Sequence, residues 1–292
     1  MPAKAQESVS RFAATASMTP VCGLVRNDKR RLESRAGERR KIMKKMLEVC
    51  VDSLESALAA AAGGAMRLEL CANLVIGGTT PAVSLLKAVK AETGLPVHAL
   101  LRPRFGDFFY TDREFTLMLE DAKALLSAGA DGLVSGCLTA GGDLDIPKME
   151  ALVGLAHGNR RRFTLHRAFD MCRDALATLD ACEKLGVDTI LTSGQKDNCR
   201  SGGALLGALH ERARNVEILI GGGVDAAVIR ELRKAIPGAN QFHMSGKTNL
   251  DSPMEYRRED VHMGLPGLSE YTIYRTDPGK VRLALQALEE PV

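Results

Sequence analysis

Hydrophobic and polar positions repeat one phrase from about residue 46 to the C terminus. LEVCV (47–51) alternates apolar and polar residues, which predicts a strand with two unlike faces. An Ala-rich stretch after Ser53 that stops at Gly63-Gly64 predicts a helix, and MRLELC (66–71) alternates again. Further strands are predicted at VHALL (97–101), GLVSG (132–136), RFTLHRA (162–168), DTILTSG (188–194), VEILIGGG (216–223) and NQFHMSG (240–246). Helices are predicted from Pro81 to about Thr93, from a cap at Asp112 to about Gly129, and from Pro147 onward. Others run from Asp174 to Leu185, from about Gly203 to Arg214, from Asp225 to Ile236 and from Pro278 to Leu288. Proline near a helix start and glycine past its end fit the known asymmetry of helix termini.

Alternation of strand and helix implies a parallel sheet. Eight such units imply a single closed (β/α)8 TIM-type barrel of the α/β class. A doubly wound sheet is the competitor, but no GxGxxG follows the first strand. The connection from Lys247 to Thr276 delays the last helix, and loops of that length are usually functional or mobile.

Charge divides the chain. The formal net charge is +3, yet residues 1–45 hold 12 Lys/Arg against 4 Asp/Glu, leaving 27 against 32 for the remainder. The expected organisation is a disordered basic extension over 1–45, followed by a barrel domain over 46–292. SVSRFAATASM has the Arg, Ser and Ala of an organelle presequence, although Glu7, Asp28, Glu33 and Glu38 oppose that reading. Purine-rich codons for Glu38 to Met43 could carry a ribosome-binding site, so translation of the native protein is expected to start at Met43 or Met46. A mildly acidic body argues against nucleic acid as partner. No apolar run approaches the roughly 20 residues of a membrane span. Seven cysteines, odd in number and without a CxxC pair, read as reduced thiols of a cytoplasmic protein. Assembly into a homo-oligomer is left open.

Barrel active sites lie at the C-terminal ends of the strands, and nearly every predicted strand here ends in polar groups. Parity puts Glu48, Cys50 and Asp52 on one face of the first strand and Arg67, Glu69 and Cys71 on one face of the second. Adjacent strands lie about 4.8 Å apart, so Cys50 and Cys71 could bridge one soft ion; either could equally be a small buried hydrophobe. Arg102 and Arg104 flank Pro103 and suit a carboxylate or phosphate, unless Glu69, Asp107 or Asp52 claims them. His166 could be an acid/base, a metal ligand or a structural histidine, with Asp170 able to orient it only if the loop folds back. His243 invites the same weighing. Gly222 and Gly223 after the seventh strand and Ser245 after the eighth occupy the usual barrel phosphate position.

Seven collinear blocks, LEVCVDSLESA, RLELCANLVIGGTTP, LRPRFGDFFYTDRE, FTLHRAFDM, LTSGQ, GGGV and FHMSG, resemble the CutC family, named as copper homeostasis proteins. The resemblance runs from about Met46 to the end. It implies a (β/α)8 barrel, a cytoplasmic location and Cu(I) binding through the cysteines that match Cys50 and Cys71. A Cu(I) carrier needs little besides thiols, whereas this rim also offers Arg102, Arg104, Gly222, Gly223 and Ser245. The alternative is therefore an enzyme acting on a small phosphorylated or carboxylated metabolite, with His166, Asp107 or Glu69 as acid/base.

Overall fold

A computed structural model describes residues 45–258, 260–261, 263–264 and 267–291. The basic extension and the expected start site fall on 1–44, apart from Lys45 and Met46, and lie outside the described residues.

The eight predicted strands form a closed parallel barrel in sequential order. They are β1 Met46–Val51, β2 Arg67–Leu70, β3 Val97–Leu100, β4 Gly132–Ser135, β5 Arg162–Leu165, β6 Thr189–Thr192, β7 Glu217–Ile220 and β8 Gln241–Met244. Eight helices follow: α1 Leu54–Ala62, α2 Val83–Thr93, α3 Asp112–Ser127, α4 Ile146–Gly158, α5 Ala175–Leu185, α6 Gly203–Arg212, α7 Ala226–Ala235 and α8 Pro278–Glu289. Closure makes β1 pair with both β2 and β8: Glu48 stands opposite Arg67 on one side and His243 on the other, and Cys50 stands opposite Glu69.

Strand parity sorts the barrel into two environments. Outward residues such as Leu47, Val49, Leu68, Leu70, Phe163, Ile190 and Phe242 are fully buried under the helix ring. Apolar area removed from water there contributes about 25 cal/mol per Å² and dominates stability. The inward residues are unusually polar: Glu48, Arg67, Glu69, His98, Thr164, Thr189 and Gln241 are all buried. A small apolar cluster of Cys50, Cys71, Leu100 and Val134 sits among them. Room for this interior comes partly from Gly132, where a Cβ would lie 2.6–2.8 Å from the His98 ring.

Several helix starts are fixed by side chains. Ser53, Asp145, Asp174, Asp225 and Asp277 accept backbone N–H bonds at their N-caps. The cap of α3 is Thr111 rather than Asp112, because Thr111 and Glu114 form a reciprocal capping box. Pro81 lies two residues before α2, whose N-cap Ala82 makes no side-chain bond. The connection after β8 is also not a plain loop. It contains an antiparallel ribbon of β9 Lys247–Asp251 with β10 Thr272–Thr276. Short, polar strands of this kind lack a buried face and so give no clean alternation to read.

Candidate functional site

Every predicted site residue except Arg104, Asp107 and Cys71 lines a cavity of about 290 Å³ at the C-terminal end of the barrel. Cys71 lies directly beneath its wall: its Sγ is 3.7 Å from that of Cys50, and both thiols are buried and free. They sit side by side because Cys50 is the penultimate residue of β1, Cys71 follows β2, and both point inward. The IGG turn after Cys71 closes over them. Gly78 holds φ at +86°, and a Cβ there would meet Leu100 Cδ2 at 2.8 Å and Cys71 Sγ at 3.4 Å. The hydrogen bond with Cys71, together with burial, pushes the Cys50 thiol well above the usual range. A metal must therefore displace its proton.

Beside the thiols runs a buried polar chain. Arg67 Nε donates to Glu48 Oε2 at 2.5 Å, Glu48 Oε1 lies 2.8 Å from His243 Nδ1, and His243 Nε2 lies 3.8 Å from Glu69 Oε2. Burial opposes charge on Glu48, but Arg67 and His243 outweigh it and hold this carboxyl far below the ordinary value. Burial raises Glu69. Burial also disfavours a charged His243, yet Glu69 and Glu48 raise it overall. Cys50, Glu69 and His243 each offer a ligand atom, all within 4.8 Å of one another.

Across the cavity, the two arginines part company. Arg104 is turned away. It donates to Glu114 at 2.5 Å and Asp107 at 3.0 Å and stacks on Tyr110. Asp107, 68% exposed, is its partner and takes no place in the cavity. In this arrangement the two residues brace the 102–111 loop. Arg102 points in and is only 7% exposed. It donates to the carbonyls of Ile76, Gly78 and Gly106, its Nε has no acceptor, and among the described residues no carboxylate pairs with it. Phe108 bridges Arg102 and His166, with its centroid 5.2 Å from the guanidinium carbon and 4.7 Å from the imidazole.

His166 is set as a hydrogen-bond donor. Its Nδ1 accepts the Ala168 N–H at 3.1 Å, which leaves the proton on Nε2, a buried atom without a partner among the described residues. Burial and the nearby Arg102 bring it down to about 3, so it is neutral near pH 7. Asp170 does not orient it. That carboxylate is occupied by Arg167, Thr192, Ser193 and Gln195. Gly222, with φ at +90°, Gly223 and Ser245 form the far wall. Sequence reasoning gave His243 little weight and missed Glu48. The available signal was barrel closure, which sets the inward residues of the last strand beside those of the first.

Fold and cavity together define a (β/α)8 protein whose mouth gathers paired thiols, a carboxylate and an imidazole. The CutC family model matches residues 45–248. A protein designated CutC from Chromobacterium violaceum is 40% identical over 249 residues, 85% of this chain and 100% of that one. The mouse copper homeostasis protein cutC homolog is 40% identical over 249 residues, 85% of this chain and 90% of its own. The crystal structure of a copper homeostasis protein CutC from Streptococcus agalactiae superposes with a TM-score of 0.64 at 31% identity, covering 69% of this chain and 99% of that one. The chain belongs to the CutC family. 3-Hexulose-6-phosphate synthase, at 18% identity and a TM-score of 0.51 over 84% of this chain and 99% of that one, shares the fold alone.

Proposed function

We propose that this protein serves copper homeostasis by holding Cu(I) as cargo between Cys50 and Cys71 in the cytoplasm. The observation that carries the reading is the 3.7 Å separation of two buried, unoxidised thiols on neighbouring strands. Metal–thiolate bonds of about 2.3 Å would span that distance at an angle of roughly 110°. Two thiolates in an apolar setting suit a soft monovalent ion, and here Leu100 and Val134 surround them. Six described cysteines, all free and buried, fit a reducing compartment. Mouse and human relatives bear the name copper homeostasis protein cutC homolog. Anaerobic competition with a Cu(I) chelator tests the reading. Cys50→Ser with Cys71→Ser is expected to lose binding by at least a hundredfold, and unchanged affinity in the folded double variant would discard the site.

One observation favours a second reading, an enzyme or receptor for a small anion: Arg102 is a buried cation that no carboxylate pairs with among the described residues. Burying a charge unpaired costs several kcal/mol, and a bound anion would offset that cost. Under this reading Arg102 balances the ligand's charge and His166 Nε2–H donates to it. Equilibrium binding of phosphorylated and carboxylated metabolites to wild type and Arg102→Met decides it; identical weak binding by both would remove the reading.

A further inference from the structure

The geometry points to a second metal mode at this mouth: Cys50, Glu69 and His243 form a three-ligand site for a divalent ion of the Zn²⁺ class, with the fourth coordination position open to the cavity. It goes beyond the Cu(I) reading and shares only Cys50 with it.

The decisive feature is how His243 is held. A metal-ligating histidine characteristically donates its other ring N–H to a carboxylate, which fixes the tautomer and aims the free nitrogen at the ion. His243 has that arrangement ready: Nδ1 lies 2.8 Å from Glu48 Oε1, and Glu48 is itself fixed by Arg67. Nε2 is thereby left facing Glu69 Oε2 at 3.8 Å. The Glu48–Arg67 pair is buried at the centre of the barrel, where hydrogen-bonded ions are costly to install. Orienting one imidazole nitrogen is a use that accounts for both groups.

The donor set then selects the ion. Thiolate suits Zn²⁺ and Cu(I), imidazole suits Zn²⁺ and other divalent ions, and carboxylate disfavours a soft monovalent one. Zn²⁺ accepts all three. A tetrahedral ion with bonds of about 2.0–2.3 Å holds its ligand atoms roughly 3.3–3.8 Å apart. The three donors here lie within 4.8 Å of one another, so they need to close by only about one ångström. Three protein ligands plus one open position is the arrangement of catalytic rather than structural zinc. All three residues line the cavity that also contains Arg102 and His166. Binding releases the Cys50 thiol proton and any proton carried by His243 Nε2 or Glu69, and the resulting thiolate completes the coordination.

The test uses the full chain, reduced and metal-free, titrated with Zn²⁺ against a chromophoric chelator and, separately, with Co²⁺ followed by absorption. Wild type is expected to bind one equivalent, with a thiolate-to-Co²⁺ charge-transfer band and the intense visible bands of a tetrahedral or five-coordinate site. His243→Ala and the near-isosteric Glu69→Gln are each expected to weaken Zn²⁺ by at least tenfold while retaining Cu(I). Cys71→Ser is expected to do the reverse. Absence of stoichiometric Zn²⁺ binding by wild type, or a Co²⁺ spectrum without the thiolate band, would overturn the proposal without reference to any variant. Zn²⁺ binding that fails in Cys71→Ser but survives in His243→Ala would also overturn it, by assigning both ions to the thiol pair. Loss of Cu(I) binding in wild type would sink the thiol-pair reading alone.

Discussion

Removing Arg67 should be among the most damaging single changes inside this barrel. Arg67 and Glu48 are 5% and 1% exposed, and their contact is 2.5 Å. Arg67→Ala leaves the Glu48 carboxylate with His243 as its sole charged hydrogen-bond partner, in a site water does not reach. With charge centres about 4 Å apart and an effective dielectric near 20, the lost attraction is about 4 kcal/mol. Measured costs of breaking buried pairs run at about 3–5 kcal/mol. In a domain of this size each kcal/mol lowers Tm by about 2–4 °C, so a fall of roughly 6–20 °C is expected. Arg67→Met with Glu48→Gln removes both charges and keeps an acceptor for His243. It should recover at least about 2 kcal/mol relative to Arg67→Ala alone. Urea unfolding of wild type, Arg67→Ala and the double variant measures this directly. A cost under about 1 kcal/mol for Arg67→Ala, or a double variant no more stable than that single, would refute the buried-pair reasoning.

Acid should destabilise the fold through His98 and His166, both held down to about 3 by burial and by the nearby Arg67 and Arg102 respectively. Unfolded, each takes up a proton below about 6.5, so between 6.5 and 3 the unfolded chain binds more protons and stability falls as pH falls. The ceiling is about 5 kcal/mol for each, and urea midpoints at pH 7 and 4.5 should show a loss that His98→Leu reduces; an unchanged slope would clear His98. Gly132→Ala drives a methyl into the His98 ring and should cost about 1–3 kcal/mol by the same assay. Arg102→Met should cost about 1–3 kcal/mol: an apolar side chain of similar length relieves the buried cation, but the carbonyls of Ile76, Gly78 and Gly106 lose their donor. A loss above about 3 kcal/mol would make Arg102 structural. Thr111→Ala removes the capping box of α3 and should cost about 1 kcal/mol in thermal unfolding.

The barrel was legible because outward strand positions need apolar contact with the helix ring and inward ones do not. The period-2 pattern is clearest in β1, β2 and β5, as in Leu47, Val49 and Val51 against Glu48 and Cys50. The pairing of Cys50 with Cys71 was legible for the same reason, since consecutive parallel strands have neighbouring inward residues. What the sequence does not display is which partner a charged side chain takes. Arg102 and Arg104 are two residues apart, yet Asp107 and Glu114, the latter in the first turn of α3, reach only Arg104. Likewise, Glu48 and His243 are 195 positions apart and meet only because the barrel closes. Proximity of that kind depends on strand number and register together, and no local pattern encodes it. The β9–β10 ribbon escaped because β9 is largely exposed and β10 mostly half-buried, so neither strand shows a clean apolar face.

The mouth is divided electrically, and this constrains what can occupy it. On the β8–β1–β2 side stand two thiols, Glu48 and Glu69, with His243 between the carboxylates. On the β3–β5 side stand Arg102, without a carboxylate among the described residues, and Arg167, partly neutralised by Asp170. A cation bound at the first side and an anion bound at the second would face each other across one cavity, in surroundings that screen charge far less than water does. Each should therefore strengthen the other's binding, and by linkage the factor must be the same in both directions. A metal that only passes through would gain nothing from the arginine. A metal that polarises a bound oxyanion would need it there. Measuring metal affinity with and without a saturating small carboxylate, in wild type and in Arg102→Met, separates the two. Coupling of fivefold or more that vanishes with Arg102 ties the two halves into one site, and independence in wild type leaves the thiols to act as a carrier alone.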